Sequence, residues 1–460
     1  MDSQTRPLEE LTVDEVPILR TQIPGPRSQQ MWERGHRYDS PGLSALATLS
    51  QIVLERGRGS LIRDLDGNVY IDFAMGMVGV STGHSHPDVR GAIQQEMEDF
   101  LHTYDMASTA RVEFFESLAD ILPAQLQRYQ MYSGGTETVE AGMRLAKSYT
   151  GKYEFIGLYR SFHGKTLGSL SLMGSGYKNG FGPRAPGYML TPNAYCYRCP
   201  LGLEPSSCAA ACADMIEEIY QNQSTGQVAA VVLEPVQAAG GIIVPPPEFL
   251  QKIAAFCKRH NILLFVDEIF TTAGRTGKMW SFEHYGIEPD IISLGKGIGS
   301  GYPLGVIASS EEIMEGWPWA QHAGGSTTFG GNSVAARAGQ MTLQVIRDEK
   351  MIENAAEVGA HMLARLRDMQ TRHPVMGDVR GLGLVLGVEY VRNRETKEPI
   401  SSTEAEFLFR QCLQRGLMVP TATAIMRIVP ALNISKELAD KGLDILEESI
   451  DALEKWMELE

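Results

Sequence analysis

Short continuous apolar runs recur through the middle of the chain, separated by stretches with helical spacing. Phe155 to Leu158, Val228 to Leu233, Ile262 to Val266, Ile291 to Leu294 and Leu304 to Ala308 are apolar without alternation, which predicts strands covered on both faces. Val89 to His102, Arg111 to Leu122 and Val139 to Tyr149 carry helical spacing. Alternating strands and helices predict an α/β class with a mostly parallel sheet covered by helices. Ligands of such sheets bind at the carboxyl ends of the strands. Upstream, Ser60 to Asp72 reads as two alternating strands around the turn Asp66-Gly67-Asn68, a β-hairpin. The segment up to about Tyr38, with Ile23-Pro24-Gly25-Pro26, reads as a loose N-terminal arm, because each proline removes a backbone donor. After Val334 a single long helical stretch to Met369 leads to Gly381 through Glu389 and a final α/β segment. The expected division is an arm and hairpin over 1–85, a large domain over 86–345, and a C-terminal part of a smaller domain over 346–460.

At 460 residues, 43% hydrophobic and 21% charged, the chain has the composition of an ordinary globular enzyme. Its net charge of −15, with no basic stripe, argues against a nucleic-acid partner. Met1 to Pro17 is acidic and polar, and no later apolar run has the length to span a bilayer, so a cytoplasmic location without membrane contact is expected. Six cysteines in a chain of this length suit a reducing compartment rather than a disulfide scaffold.

Candidate chemistry concentrates at the strand ends. Phe265-Val266-Asp267-Glu268 closes one apolar run with two carboxylates, and Gly295-Lys296-Gly297 follows another. A buried carboxylate needs a partner, and a pyridinium nitrogen is one; the bland reading is an aspartate capping the next helix. Lys296 suits Schiff-base chemistry where it can lose its proton, and otherwise reads as a solvated lysine in a glycine-rich turn. Ser133-Gly134-Gly135-Thr136-Glu137 before a helix offers backbone N–H groups to an anion, and equally reads as a well-capped tight turn. Tyr159 to Thr166 (YRSFHGKT) places an aromatic and a histidine near a strand end, suited to stacking on a planar ring or to a place in the core. Cys196, Cys199, Cys208 and Cys212 form two close pairs in one loop, which leaves a metal, a local disulfide or reduced thiols open.

Asp72 to Pro87 (DFAMGMVGVSTGHSHP), SGGTE, YRSFHGKT, Leu233 to Gly241 (LEPVQAAGG), FVDEI with AGRTG, SLGKG, and Ser326 to Asn332 (STTFGGN) occur in this order. Together they resemble the class III, or ω-, aminotransferases of the fold type I pyridoxal phosphate enzymes, nearest to members like 4-aminobutyrate aminotransferase. The resemblance runs from about Ile23 to the C-terminus. It implies a large domain around a mostly parallel sheet, a smaller α/β domain built from both chain ends, pyridoxal 5′-phosphate as cofactor and no metal in the chemistry. Lys296 then matches the Schiff-base lysine and Asp267 the aspartate on the pyridine nitrogen. Phe162 matches the aromatic stacked on the ring, with His163 beside it, and Gly135 and Thr136 the phosphate-binding pair. Thr328 matches a threonine reaching the phosphate from a neighbouring subunit, implying a homodimer or homotetramer with shared sites. Glu234 and Arg427 match a pair in which the arginine holds an α-carboxylate and the glutamate neutralises it when the substrate has none.

Three departures bear on the substrate. Lys165 stands where 4-aminobutyrate enzymes carry an arginine, keeping the charge and losing the bidentate fork. Phe270 replaces a glutamine found in many members, and Met77, with Met75, stands where a pocket wall is expected. These changes favour a bulkier or less acidic amine donor over strict 4-aminobutyrate. The implied reaction moves an amino group from an amine, ω-amino acid or amino acid to a keto acid such as 2-oxoglutarate or pyruvate, by a ping-pong sequence. A racemase or epimerase and a dialkylglycine-type decarboxylating transaminase use the same lysine and aspartate, and an idle scaffold relative is the non-enzyme rival.

Overall fold

A computed structural model describes residues 6–420 and 423–459. The chain divides into two compact units, Pro87–Ile352, and Met1–His86 together with Glu353–Glu460.

The Pro87–Ile352 unit is organised by a seven-stranded sheet in the spatial order Arg128–Tyr132, Gly305–Ser309, Ile291–Leu294, Leu263–Asp267, Val228–Leu233, Glu154–Leu158, Tyr188–Thr191. From Ile291–Leu294 to Tyr188–Thr191 neighbouring strands run parallel, and only Gly305–Ser309 is antiparallel to both its neighbours. Every residue of the four central apolar strands is buried, which is why they read as unbroken hydrophobic runs. The two outermost strands, Arg128–Tyr132 and Tyr188–Thr191, escaped the sequence reading because they are only partly buried and so carry no continuous run.

Helix Gly135–Thr150 lies against this sheet through Val139, Ala141, Met143, Leu145 and Ala146, all in the core. It approaches closely: a Cβ at Gly142 would stand 2.4 Å from the ring of Phe265, so only glycine allows the contact. That contact sets the N-terminus of the helix beside the end of Leu263–Asp267. The single helix expected after Val334 is two, Ser333–Asp348 and Met351–Arg372, because Lys350 between them takes a left-handed φ of +53°.

In the other unit the expected hairpin is present as antiparallel Leu61–Asp64 and Val69–Asp72. Asp64 ties its turn, with Oδ1 accepting from the amides of Asp66 and Asn68, and Oδ2 from Asn68 Nδ2 and the Tyr70 hydroxyl. Leu54–Arg58 and Leu417–Met418 complete that sheet. A second sheet joins Met376–Leu382, Val385–Asn393, Glu398–Pro399 and Ile425–Ile428. The loose arm is corrected: Pro26–His36 is a helix with proline in its first turn, where the missing N–H has no intrahelical partner to lose. The carboxylate of Asp66 accepts the next two amides, Arg27 and Ser28, each at 2.8 Å, capping the helix from the hairpin turn. Among the described residues no helix is long and apolar enough to cross a membrane.

Candidate active site

Asp267 and Lys296 issue from the carboxyl ends of two adjacent parallel strands, with Asp267 paired in register to Ser293. Both oxygens of Asp267 are engaged: Oδ1 accepts from the Ile269 amide at 3.0 Å and the Ser293 hydroxyl at 3.2 Å, and Oδ2 lies 2.7 Å from His163 Nδ1. An ionised carboxylate takes about four donors, so these three leave one acceptor position. Because the carboxylate only accepts, Nδ1 of His163 carries the hydrogen. Its other ring nitrogen, Nε2, is buried with no partner among the described residues. Burial pulls the pKa of His163 down, but the Asp267 hydrogen bond and charge, with the charge of Glu234, hold it above the ordinary histidine value.

Lys296 opens a 3₁₀ turn, Lys296–Gly299, directly after extended Gly295. Its backbone is left-handed at φ +44°, a strained conformation for a side-chain-bearing residue. The side chain is half-buried, with Nζ 5.0 Å from the centre of the Phe270 ring.

Helix Gly135–Thr150 begins at Gly134 with no side-chain cap, leaving first-turn amides that helix geometry cannot satisfy. A Cβ on Gly134 would meet open space, whereas one on Gly135 would press to 3.0 Å from Ile269. The Thr136 hydroxyl lies 2.9 Å from those of Thr166 and Ser169. Gly164, at φ +134°, closes over it so tightly that a Cβ would fall 2.1 Å from Thr136 Oγ1. An open anion cradle, one spare acceptor on a strand-end aspartate and a nearby half-buried lysine are the donor set that pyridoxal phosphate requires, and these residues fit it.

Phe162 is half-buried and its amide donates to Glu234 Oε1 at 2.8 Å. Glu234 Oε2 accepts from the Ala238 amide at 3.3 Å. Burial pushes the Glu234 carboxyl up to about 7, opposed by His163 and reinforced by Asp267. Phe162 meets the Tyr177 ring edge-on, centroids 5.4 Å apart, and Lys165 Nζ sits 5.3 Å from the centre of the same ring. Tyr177 had no signal in the sequence, being one aromatic in a short glycine-flanked turn, Gly176–Lys178.

The structure thus gathers Lys296, Asp267, His163, Phe162, Phe270, Glu234, Lys165, Gly135 and Thr136 in the Pro87–Ile352 unit. Thr328 belongs to the same unit but is exposed, between Thr327, which donates to Glu137 Oε1, and exposed Phe329. Met77 and Arg427 belong to the other unit. Met77 lies in a left-handed turn with φ between 45° and 61° at Met75, Gly76, Met77 and Val78. Arg427 lies on Ile425–Ile428 opposite Gly387, half-buried.

Glu268, the second carboxylate of the opening motif, turns away from this set. Fully buried, it accepts from the Ser281 hydroxyl at 2.8 Å, the Phe282 amide at 2.9 Å and the Thr271 hydroxyl. Burial raises its pKa to about 7, against those hydrogen bonds. An acid whose folded pKa exceeds its unfolded 4.5 binds more protons folded than unfolded, so its contribution to stability is full below 4.5 and is lost as pH rises towards 7. Urea unfolding of Glu268→Gln at pH 5 and pH 8 is therefore expected to show the variant gaining on the parent by about 3 kcal/mol between the two. An unchanged difference would contradict burial of an ionisable Glu268.

The class-III aminotransferase family model matches residues 45–450. The diaminobutyrate–2-oxoglutarate aminotransferase of Haemophilus influenzae is 34% identical over 413 residues, covering 86% of this chain and 90% of that one. A leucine/methionine racemase of Thermococcus litoralis is 32% identical over 413 residues, covering 89% and 92%. Among solved structures, a pyridoxal phosphate-bound amine transaminase from an uncultivated Pseudomonas species superposes with a TM-score of 0.84 at 28% identity, covering 91% of this chain and 98% of that one. With its strand-end aspartate and lysine, its helix-end cradle and this likeness along nearly its whole length, the chain belongs to the class III aminotransferases, fold type I enzymes dependent on pyridoxal 5′-phosphate.

Proposed function

We propose that this aminotransferase takes amino groups from an amine or ω-amino acid donor bulkier or less acidic than 4-aminobutyrate and passes them to 2-oxoglutarate or pyruvate in two successive half-reactions. The observation that carries this reading is Lys165, a compact charge over the Tyr177 ring, which in turn packs edge-on against Phe162, rather than a forked guanidinium. Pyridoxal phosphate, when bound, supplies a conjugated ring that accepts the electron pair left at the donor carbon. Lys296 Nζ would carry the proton from that carbon to the C4′ carbon of the cofactor, and back in the second half-reaction. Asp267, steadied by His163, Ser293 and the Ile269 amide, keeps a proton on the ring nitrogen through its remaining acceptor position. Phe162 covers the ring face, and Gly135 and Thr136 hold the phosphate. Glu234, tethered by two amides and pushed by burial up to about 7, is only partly ionised near neutral pH, which lessens its repulsion of a donor carboxylate. Phe270 makes the wall beside Lys296 apolar. The resemblance alone assigns Arg427 to the keto acid's carboxylate and Met77 to the donor.

Thr328 reaches the phosphate of a second copy, making the working unit at least a homodimer. Its exposure supports this, as does the exposed apolar surface of Leu101, Tyr104, Met106 and Phe329 within the same unit. Light scattering should then give the mass of two or four chains.

A panel of amines and ω-amino acids with each keto acid tests the donor assignment. Lys165→Ala is expected to raise KM for carboxylate-bearing ω-amino donors roughly tenfold while leaving KM for uncharged amines within about twofold. Turnover of 4-aminobutyrate far above every other donor would sink the Lys165 argument. Racemisation is the reaction of a relative at comparable identity. Appearance of the opposite enantiomer from one amino acid, with no keto acid added, would replace transamination as the principal reading.

A further inference from the structure

One group of metal-ligating side chains lies outside the chemistry above. We propose that His373, Asp451 and Glu454 hold a divalent ion of the zinc class, which fastens the C-terminal helix Lys436–Leu459 to the end of helix Met351–Arg372.

All three residues belong to one compact unit. Along Lys436–Leu459, Glu447, Asp451 and Glu454 recur at intervals of four and three, so their carboxylates share one face of the helix. Like charges so spaced repel unless a cation faces them. His373, the residue after helix Met351–Arg372, meets that face with a ring only 6% exposed. Its Nδ1 lies 2.9 Å from Glu454 Oε2 and 3.8 Å from Asp451 Oδ1, and its Nε2 lies 3.4 Å from Glu447 Oε1. Its backbone is fixed as well. The His373 amide donates to the Met369 carbonyl at 3.0 Å, and Arg394 donates to the carbonyls of Gln370, His373 and Pro374.

The spacing is that of ligands around one ion. One ring nitrogen and two carboxylate oxygens lie within 4.8 Å of one another. A tetrahedral ion with ligands at about 2.1 Å sets them about 3.4 Å apart. The separations of 2.9 Å and 3.8 Å from Nδ1 bracket that value. At 3.8 Å the Asp451 contact is too long for a hydrogen bond, and an ion between the two groups joins them.

The surrounding contacts orient the same atoms. With the ion on Nδ1, Nε2 carries the ring hydrogen towards Glu447, which Arg372 holds in turn. Glu454 Oε1 accepts the Val375 amide at 3.2 Å, which leaves Oε2 for the ion. An imidazole with two carboxylates suits zinc and its first-row neighbours, whereas calcium and magnesium take oxygens alone. Three protein ligands leave one position to water. Binding forms one nitrogen–metal and two oxygen–metal bonds, releases to solvent the proton between Nδ1 and Glu454, and changes no oxidation state. The effect reaches the neighbouring sheet, because the Val391 amide donates to the Val375 carbonyl at 2.8 Å.

The test is equilibrium dialysis of chelator-stripped, cofactor-loaded, full-length protein against zinc and, separately, cobalt(II). About one ion per chain is expected at micromolar concentration, its cobalt form without thiolate charge-transfer absorption. Asp451→Asn, at an exposed position where substitution costs the fold little, should weaken binding at least about tenfold. Glu447→Gln should weaken it roughly tenfold by releasing the imidazole, and Glu448→Gln, whose carboxylate faces Arg415 instead, should leave it unchanged. The thermal unfolding midpoint should rise with zinc in the parent and stay level in Asp451→Asn at the same concentration. Less than about a tenth of an ion per chain at millimolar zinc, bound cobalt accounted for by thiolate absorption, or affinity unchanged in Asp451→Asn would each overturn the proposal and leave His373 as the centre of an ion-pair cluster.

Discussion

Lys296→Ala is expected to lower steady-state turnover by at least about 10⁴-fold with every donor, because one amine serves as both the point of attachment and the proton carrier. The backbone makes the position hard to replace. Lys296 follows extended Gly295 and enters a 3₁₀ turn at φ +44°, a geometry that aims Nζ at the space beside Phe270. Lys296→Arg should be no better, since a guanidinium does not deprotonate and its planar fork needs more room than an ammonium. The cradle of Gly134, Gly135 and Thr136 and the Asp267 acceptor are untouched by either change, so pyridoxal phosphate should still bind, measurable by equilibrium dialysis. Lys296→Gly should be as inactive as the alanine variant yet more stable than it by about 1 kcal/mol, because glycine removes the left-handed strain. Turnover within tenfold of the parent in Lys296→Ala would remove Lys296 from the chemistry.

The sequence displayed Asp267 and Lys296 because each follows a continuous apolar run, and such runs belong to strands buried on both faces. Gly135 was legible for a related reason, as a glycine pair before a strongly periodic helix. What escaped reading depended on contacts between distant residues. The helix Pro26–His36 is capped by Asp66, some forty residues away, and no local pattern in a proline-rich segment announces that partner. Ser293, whose hydroxyl supports Asp267 across a strand pair, sits inside an apolar run where a serine is unremarked. Tyr177 gains meaning only once the loop folds it between Phe162 and Lys165. Glu268 shows the reverse: adjacent to Asp267 in sequence, it turns from the cofactor side because successive residues at a strand end point in opposite directions.

Asp267→Asn is expected to lower kcat by about 10³-fold while leaving the fold intact, since the amide keeps the shape of the carboxylate and loses its charge and one acceptor oxygen. In the parent, Oδ1 is held by the Ile269 amide and Ser293, and Oδ2 by a histidine whose pKa, lowered by burial, is raised by that contact. An asparagine cannot hold a proton on a pyridine nitrogen, and it removes the charge that raises the pKa of His163. The second loss has its own signature. A histidine whose folded pKa is raised stabilises the protein fully below its unfolded 6.5, and that contribution disappears as pH rises through the folded value. The stability gap between parent and Asp267→Asn, from urea unfolding, should therefore be widest at pH 6 and narrow towards pH 9. Asp267→Glu keeps the charge on a longer arm and should recover part of kcat together with the pH dependence of the gap. A turnover number within threefold of the parent in Asp267→Asn, with a gap independent of pH, would mean that the charge at the end of Leu263–Asp267 serves the fold and not the reaction.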